Sequence, residues 1–107
     1  MQIDIMINGE KKTFVTPFVP MLARRKFLEI RAKEEKIFEK HKMIPAEKEI
    51  EIENELIHLM TDVVFNKQFT AEELMNGVDT EYFNKKLREA VFGIKDEEVT
   101  DGEEVGK

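Results

Sequence analysis

Apolar and polar positions alternate at the start of the chain. Ile3, Ile5 and Ile7 are separated by polar or softer residues, and Asn8-Gly9 follows where a two-residue type I′ turn needs positive φ. The pattern predicts a β-hairpin over residues 2–15, with Ile7 opposite Glu10, Ile5 opposite Lys12 and Ile3 opposite Phe14. One face is apolar at its open end, and a lone two-stranded ribbon does not hold in water, so another element must cover it. The next stretch, TPFVP from Thr16 to Pro20, reads as a rigid connector, because each proline pushes its predecessor towards an extended backbone.

Beyond Pro20 the apolar spacing changes to three, four and seven. Ala23, Phe27, Ile30, Ile37 and Phe38 predict a first helix over 21–41, its outer face supported by Arg25/Glu29, Glu29/Lys33 and Arg31/Glu35 at four-residue spacing. A turn from His41 to Pro45 leads into a second helix over 46–65, with Ile50, Ile57, Met60 and Val64 as its core stripe and Leu56 and Val63 beside it. Within it EIEIE, Glu49 to Glu53, alternates like a strand, but length and the later spacing favour helix. The most heavily punctuated stretch is FNKQFTAEELMNGVDTEYF, Phe65 to Phe83. Thr70 and Glu73 have capping-box spacing, and Phe69 and Leu74 fall where a hydrophobic staple needs them. Gly77 is expected to take the left-handed conformation that ends a short helix over 71–76. Asp79 or Thr80 then caps a last helix over 80–94, with Phe83, Leu87, Ala90, Val91 and Ile94 as its stripe. The predicted fold is α+β and mostly helical: an N-terminal β-hairpin packed on three or four helices, forming one folded domain over 1–94.

Composition narrows this picture. A chain of 107 residues supports one core, and 41% hydrophobic residues, eight of them Phe, supply its bulk. The net charge of −6 is uneven, since residues 95–107 hold six acids and two lysines. With two valines as its only apolar residues, that segment is predicted to be a disordered acidic tail. An acidic chain is a poor nucleic-acid binder, because phosphate affinity depends on basic excess. The sequence has neither Cys nor Ser, which removes disulfides, thiolate metal sites and two common nucleophiles. MQIDIMINGE lacks the basic-then-apolar order of a signal peptide, and no apolar run approaches a membrane span, so a soluble cytoplasmic protein is expected.

Candidate chemistry is sparse. Glu55 and His58 form a Glu-x-x-His pair with Asp62 one turn on, a spacing that carboxylate-bridged di-metal bundles use. Those sites need a second such pair, and the only other histidine, His41, has Phe38 where its glutamate would stand. A solvent-facing histidine is the plainer reading. No base–nucleophile constellation and no glycine-rich phosphate loop is present, so neither catalysis nor a cofactor or metal is expected. The charge layout says more. If the first two helices pack antiparallel, Arg31, Lys33, Lys36 and Lys40 lie near Glu47, Glu49, Glu51 and Glu53. Arg24-Arg25-Lys26, in the first turns of helix one, oppose the helix dipole. Either nearby acids, including those of the tail, neutralise them, or they form a contact surface for an acidic protein partner with Phe18 and Met21 as apolar neighbours. Phe65 and Phe69 belong more often to a core, though either could stand on a binding rim. The candidate partner-binding set is therefore Phe18, Met21, Arg24, Arg25, Lys26, Phe65 and Phe69. Of the six methionines, which adapt to varied surfaces, most are expected to fill the core.

The order of these segments resembles a known family. A hairpin with INGEKKTFVTPF, a charged helix opening ARRKFLEI and a second helix ending DVVFNKQFTAEELMNGVD are similar to the tail assembly chaperones of long-tailed bacteriophages and prophages, especially those of Gram-positive hosts. The similarity spans residues 3 to 94. It is most specific at Val64-Phe65, at Gln68-Phe69-Thr70 and at the downstream Gly77. The resemblance implies a non-enzymatic protein that binds the tape-measure protein, keeps it soluble and promotes tail-tube polymerisation around it. It also implies a longer frameshifted form that engages the tail-tube protein, and absence from the finished virion. Self-association fits the coating of an elongated partner by many copies. The competing expectation, from composition alone, is a small acidic regulatory protein that inhibits a host or phage enzyme.

Overall fold

A computed structural model describes residues 1–93, and the predicted acidic tail and Ile94 lie outside the described residues. Strands β1 (Gln2–Ile7) and β2 (Glu10–Val15) form the antiparallel hairpin in the predicted register, with Ile7, Ile5 and Ile3 opposite Glu10, Lys12 and Phe14. Asn8 and Gly9 have φ of 53° and 79°, as a type I′ turn requires. Ile3 and Ile5 are fully buried, because α3 (Ala71–Gly77) lies against β1. Helix α1 (Met21–His41) packs against α2 (Ala46–His58) and α4 (Thr80–Phe92), so the hairpin and four helices share one core. The α+β architecture is as the sequence predicts.

The second helix departs from a plain 46–65 span. After His58 it widens into a π-helical turn, Leu59–Val64, where the Phe65 amide donates to the Met60 carbonyl, five residues back, at 3.0 Å. Met60, Thr61, Val64 and Phe65 are all buried by that turn. The buried Thr61 hydroxyl is hydrogen-bonded to the His58 carbonyl and the Asp62 carboxylate. Asn66 and Lys67 then take left-handed φ values of 55° and 65°, which reverse the chain towards α3.

The punctuated stretch works largely as read. Thr70 Oγ1 accepts from the Glu73 amide at 3.0 Å while Glu73 Oε1 accepts from the Thr70 amide at 2.9 Å, closing the capping box. Phe69 and Leu74, the staple pair, are both buried, and Phe69 stacks between Phe14 and Phe65 with centroids at 4.9 Å and 5.3 Å. Asp79 caps α4 by accepting from the Tyr82 amide at 2.8 Å. Gly77 is a correction. Its φ is not left-handed, and Val78, in an extended conformation, ends the helix. A Cβ at Gly77 would stand 2.5 Å from the Met6 carbonyl oxygen and closer still to Ile5 Cγ2. The glycine is there for close approach of helix to strand, and the left-handed cap belongs instead to Gly93, after α4.

Two stripe positions are also corrected. Ile50 is 59% exposed, although Ile57 on the same helix face is buried. Seven residues of helix separate them by about 10 Å, and towards the start of α2 the α3–α4 unit no longer closes over that face. Phe38, near the end of α1, is exposed too. Only one of the three predicted pairs on the outer face of α1 forms among the described residues, Arg31–Glu35 at 3.9 Å.

Candidate interaction surface

The start of α1 is built to be exposed. Met1 and Thr16 exchange backbone hydrogen bonds of 2.9 and 3.0 Å, and the buried Thr16 hydroxyl donates to the Phe18 carbonyl at 3.0 Å. This knot holds the TPFVP connector against the hairpin while Phe18 projects outwards, 70% exposed. Pro20 is the N-cap, with no side-chain cap bond and no acid in the first turn of the helix. Met21 is 86% exposed and Leu22 stands exposed beside it. Arg24, Arg25 and Lys26 follow, all exposed, and none forms an ion pair among the described residues. Phe18, Met21, Arg24, Arg25 and Lys26 thus all stand exposed on the connector and the first two turns of α1.

Phe65 and Phe69 are not part of that surface. They are 0% and 4% exposed and pack in the core, because the π turn rotates Phe65 inwards and the staple draws Phe69 under the hairpin. The methionines depart from expectation in the other direction. Met60 fills the core and Met1 packs at its edge, whereas Met6, Met21, Met43 and Met75 are exposed.

Charge complementarity between α1 and α2 is realised chiefly by Lys33, whose Nζ lies 2.5 Å from Glu55 Oε2. The hydrogen bond to Glu55 raises the lysine pKa above its ordinary 10.5. Partial desolvation opposes that shift, and the charges of Glu55 and Glu51 assist it. Glu55 is therefore engaged with a lysine, while His58 lies beside Asp62 at 3.6 Å on the surface. No group of three or more metal-ligating side chains occurs among the described residues.

A second surface, which the sequence reading missed, lies at the other end. A groove of about 700 Å³ runs along α2 from Ala46 to Ile57, between that helix and the α3–α4 unit. Ile50, Leu56, Met75, Val78 and Phe83 are among its apolar lining, and Met75, at 53%, is nearly as open as Ile50. The charged residues that line it are Glu34, Glu49, Glu53 and Asp79, all acidic. The signal was present in the sequence as an isoleucine amid glutamates, but periodicity alone assigned that isoleucine to the core.

A hairpin-capped helical domain with exposed apolar residues beside unpaired cations at one end, and an acid-rimmed apolar groove at the other, has the form of a protein that meets other proteins. The chain belongs to the phage tail chaperone protein family, whose family model matches residues 1–107. Membership gives it a role in tail assembly and implies interaction with tail proteins. Comparisons with curated proteins and with solved structures give no match.

Proposed function

We propose that the protein is a tail assembly chaperone that acts by binding, without catalysis: it holds the tape-measure protein soluble and promotes tail-tube polymerisation around it. It works in the host cytoplasm and leaves before the virion is complete, and a frameshifted longer form engages the tail-tube protein. Family membership over the whole chain supports the assembly role. The observation that carries the binding reading is the exposed end of α1, where Phe18, Met21 and Leu22 adjoin the unpaired Arg24, Arg25 and Lys26. Arginine and a flexible methionine beside an aromatic ring suit an adaptable contact with an acidic, amphipathic partner.

Light scattering coupled to size exclusion, on the protein co-expressed with the tape-measure protein, tests this. A soluble multi-copy complex that disappears when the chaperone is omitted is the expected result. A monomer that leaves the tape-measure protein insoluble would favour the inhibitor reading instead. Replacing Arg24 and Arg25 by Glu is expected to preserve the fold, since acids suit the first turns of a helix, and to weaken the complex. Unchanged affinity would remove the α1 end from the contact.

A further inference from the structure

We propose that the groove between α2 and the α3–α4 unit holds an amphipathic helix of the client that carries lysines or arginines beside its apolar stripe. The inference rests on the chaperone reading above and assigns the client chemistry of this second surface. Three observations carry it. The groove is apolar inside, with Ile50 and Met75 left open to water on its lips. Every charged side chain that lines it is an acid, so a cationic occupant is attracted and an anionic one repelled. Its length suits a helix: Ala46 and Ile57 both line it, and eleven residues of α2 span about 16 Å, or three turns, room for anchors at i, i+3 or i+4, and i+7.

Occupants from the chain itself fit poorly. Residues 95–107 carry six acids against two lysines, the same sign as the rim. The apolar-and-cationic end of α1 has the right charge, but within one molecule it lies at the far end of the helix from Glu34, about 20 Å from Met21 at the helical rise. In a second copy, that end offers Phe18, Met21, Leu22 and, two turns after Met21, Leu28, because Ala23, Phe27 and Ile30 are committed to its own core. From Met21 to Leu28 it spans about two turns, short of the three-turn groove.

The test uses two fluorescein-labelled synthetic helices with the same leucine stripe, one flanked by lysines and one by glutamates, and reads anisotropy against the full chain. The lysine peptide is expected to bind, and the glutamate peptide about tenfold more weakly or not at all. Replacing Glu49 and Glu53 by Lys leaves two acids and two lysines on the rim and should abolish the preference while the circular dichroism stays native, since both residues are exposed and neither forms an ion pair among the described residues. The Arg24→Glu/Arg25→Glu variant should keep wild-type peptide binding. Equal affinity of the wild-type chain for both peptides, binding of neither, or a preference that survives unchanged in the Glu49→Lys/Glu53→Lys protein would overturn the proposal. So would a drop in the oligomer mass of the Glu49→Lys/Glu53→Lys protein on its own, which would give the groove to a second copy. In co-expression, the Glu49→Lys/Glu53→Lys variant is expected to lose the soluble tape-measure complex. Retention of that complex would overturn the client assignment. Peptide selectivity combined with a tape-measure protein that the wild-type chain fails to solubilise would uphold the groove chemistry and take down the chaperone reading alone.

Discussion

Replacing Gly77 by Ala separates three accounts of that residue, because they differ in sign and size. Helix propensity alone makes the change favourable by up to about 1 kcal/mol. A left-handed glycine would make it unfavourable by about 1 kcal/mol, but the φ of Gly77 does not lie in that region. The structure gives a third account. The new methyl would stand 2.5 Å from the Met6 carbonyl oxygen and 3.0 Å from the Met6 nitrogen, with Ile5 Cγ2 also in its way. Two of the three obstacles are backbone atoms of a strand paired with β2, so they cannot swing aside as a long side chain would. Overpacking costs about 1–3 kcal/mol, and immovable neighbours place this site at the upper end. Less the propensity gain, the net loss is about 2 kcal/mol, equivalent to about 8–16 °C in Tm for a domain of this size. Urea denaturation followed by far-UV circular dichroism measures it, with the slope checked for constancy between variants. Gly93→Ala is the control, since Gly93 has φ of 71° with nothing within 4 Å of a new Cβ, and should lose only about 1 kcal/mol. A Gly77→Ala protein as stable as wild type, or a Gly93→Ala protein that is the worse of the two, would refute the close-approach reasoning.

Further outcomes follow from single contacts. Thr70→Ala opens the capping box and should cost about 1 kcal/mol, with faster amide exchange at Glu73 as its local signature. Tyr82→Phe removes the phenolic oxygen that accepts the Asp4 amide at 2.9 Å. It should cost about 1 kcal/mol, and an unchanged exchange rate at Asp4 would show that water substitutes fully. Lys33 has its pKa raised on folding by Glu55, so its contribution is fully present below pH 10.5 and is lost as pH rises through the higher folded value. Lys33→Met should remove that part of the alkaline stability loss, and identical titration curves for the two proteins would contradict it.

The elements that the sequence disclosed best are those settled by neighbouring residues. Asn8-Gly9 set the hairpin register, and Thr70, Glu73, Phe69 and Leu74 announced the start of α3 within six positions. What stayed hidden depends on what lies across the molecule. Gly77 has the look of a helix stop locally, but its role is set by a strand about seventy positions away in the chain. Ile50 shares a face with Ile57, and periodicity reports the face without reporting whether anything covers it. The π turn had no visible signature, since 46–65 reads as one helix at either winding. At the candidate surface, the cations and the aromatic of the α1 end were legible as opponents of the dipole and of burial. The groove was not, because its two walls are contributed by segments that only the fold brings together.

The hairpin places a restraint on how such a protein can be assembled with others. β1 is enclosed, with β2 on one edge and α3, Tyr82 and Gly77 at the other. The outer edge of β2 faces solvent and could in principle recruit a further strand, the contact by which unrelated chains aggregate. Lys11 and Lys12 stand exposed on that strand, and a docking strand would have to strip water from both ammonium groups. Gln68 adds a side-chain amide on the Val15 carbonyl at 2.9 Å, occupying one acceptor at the end of the strand. The hairpin is thereby kept from acting as a template for sheet growth, and the exposed apolar positions of the helices are the surfaces left for contact with other tail proteins.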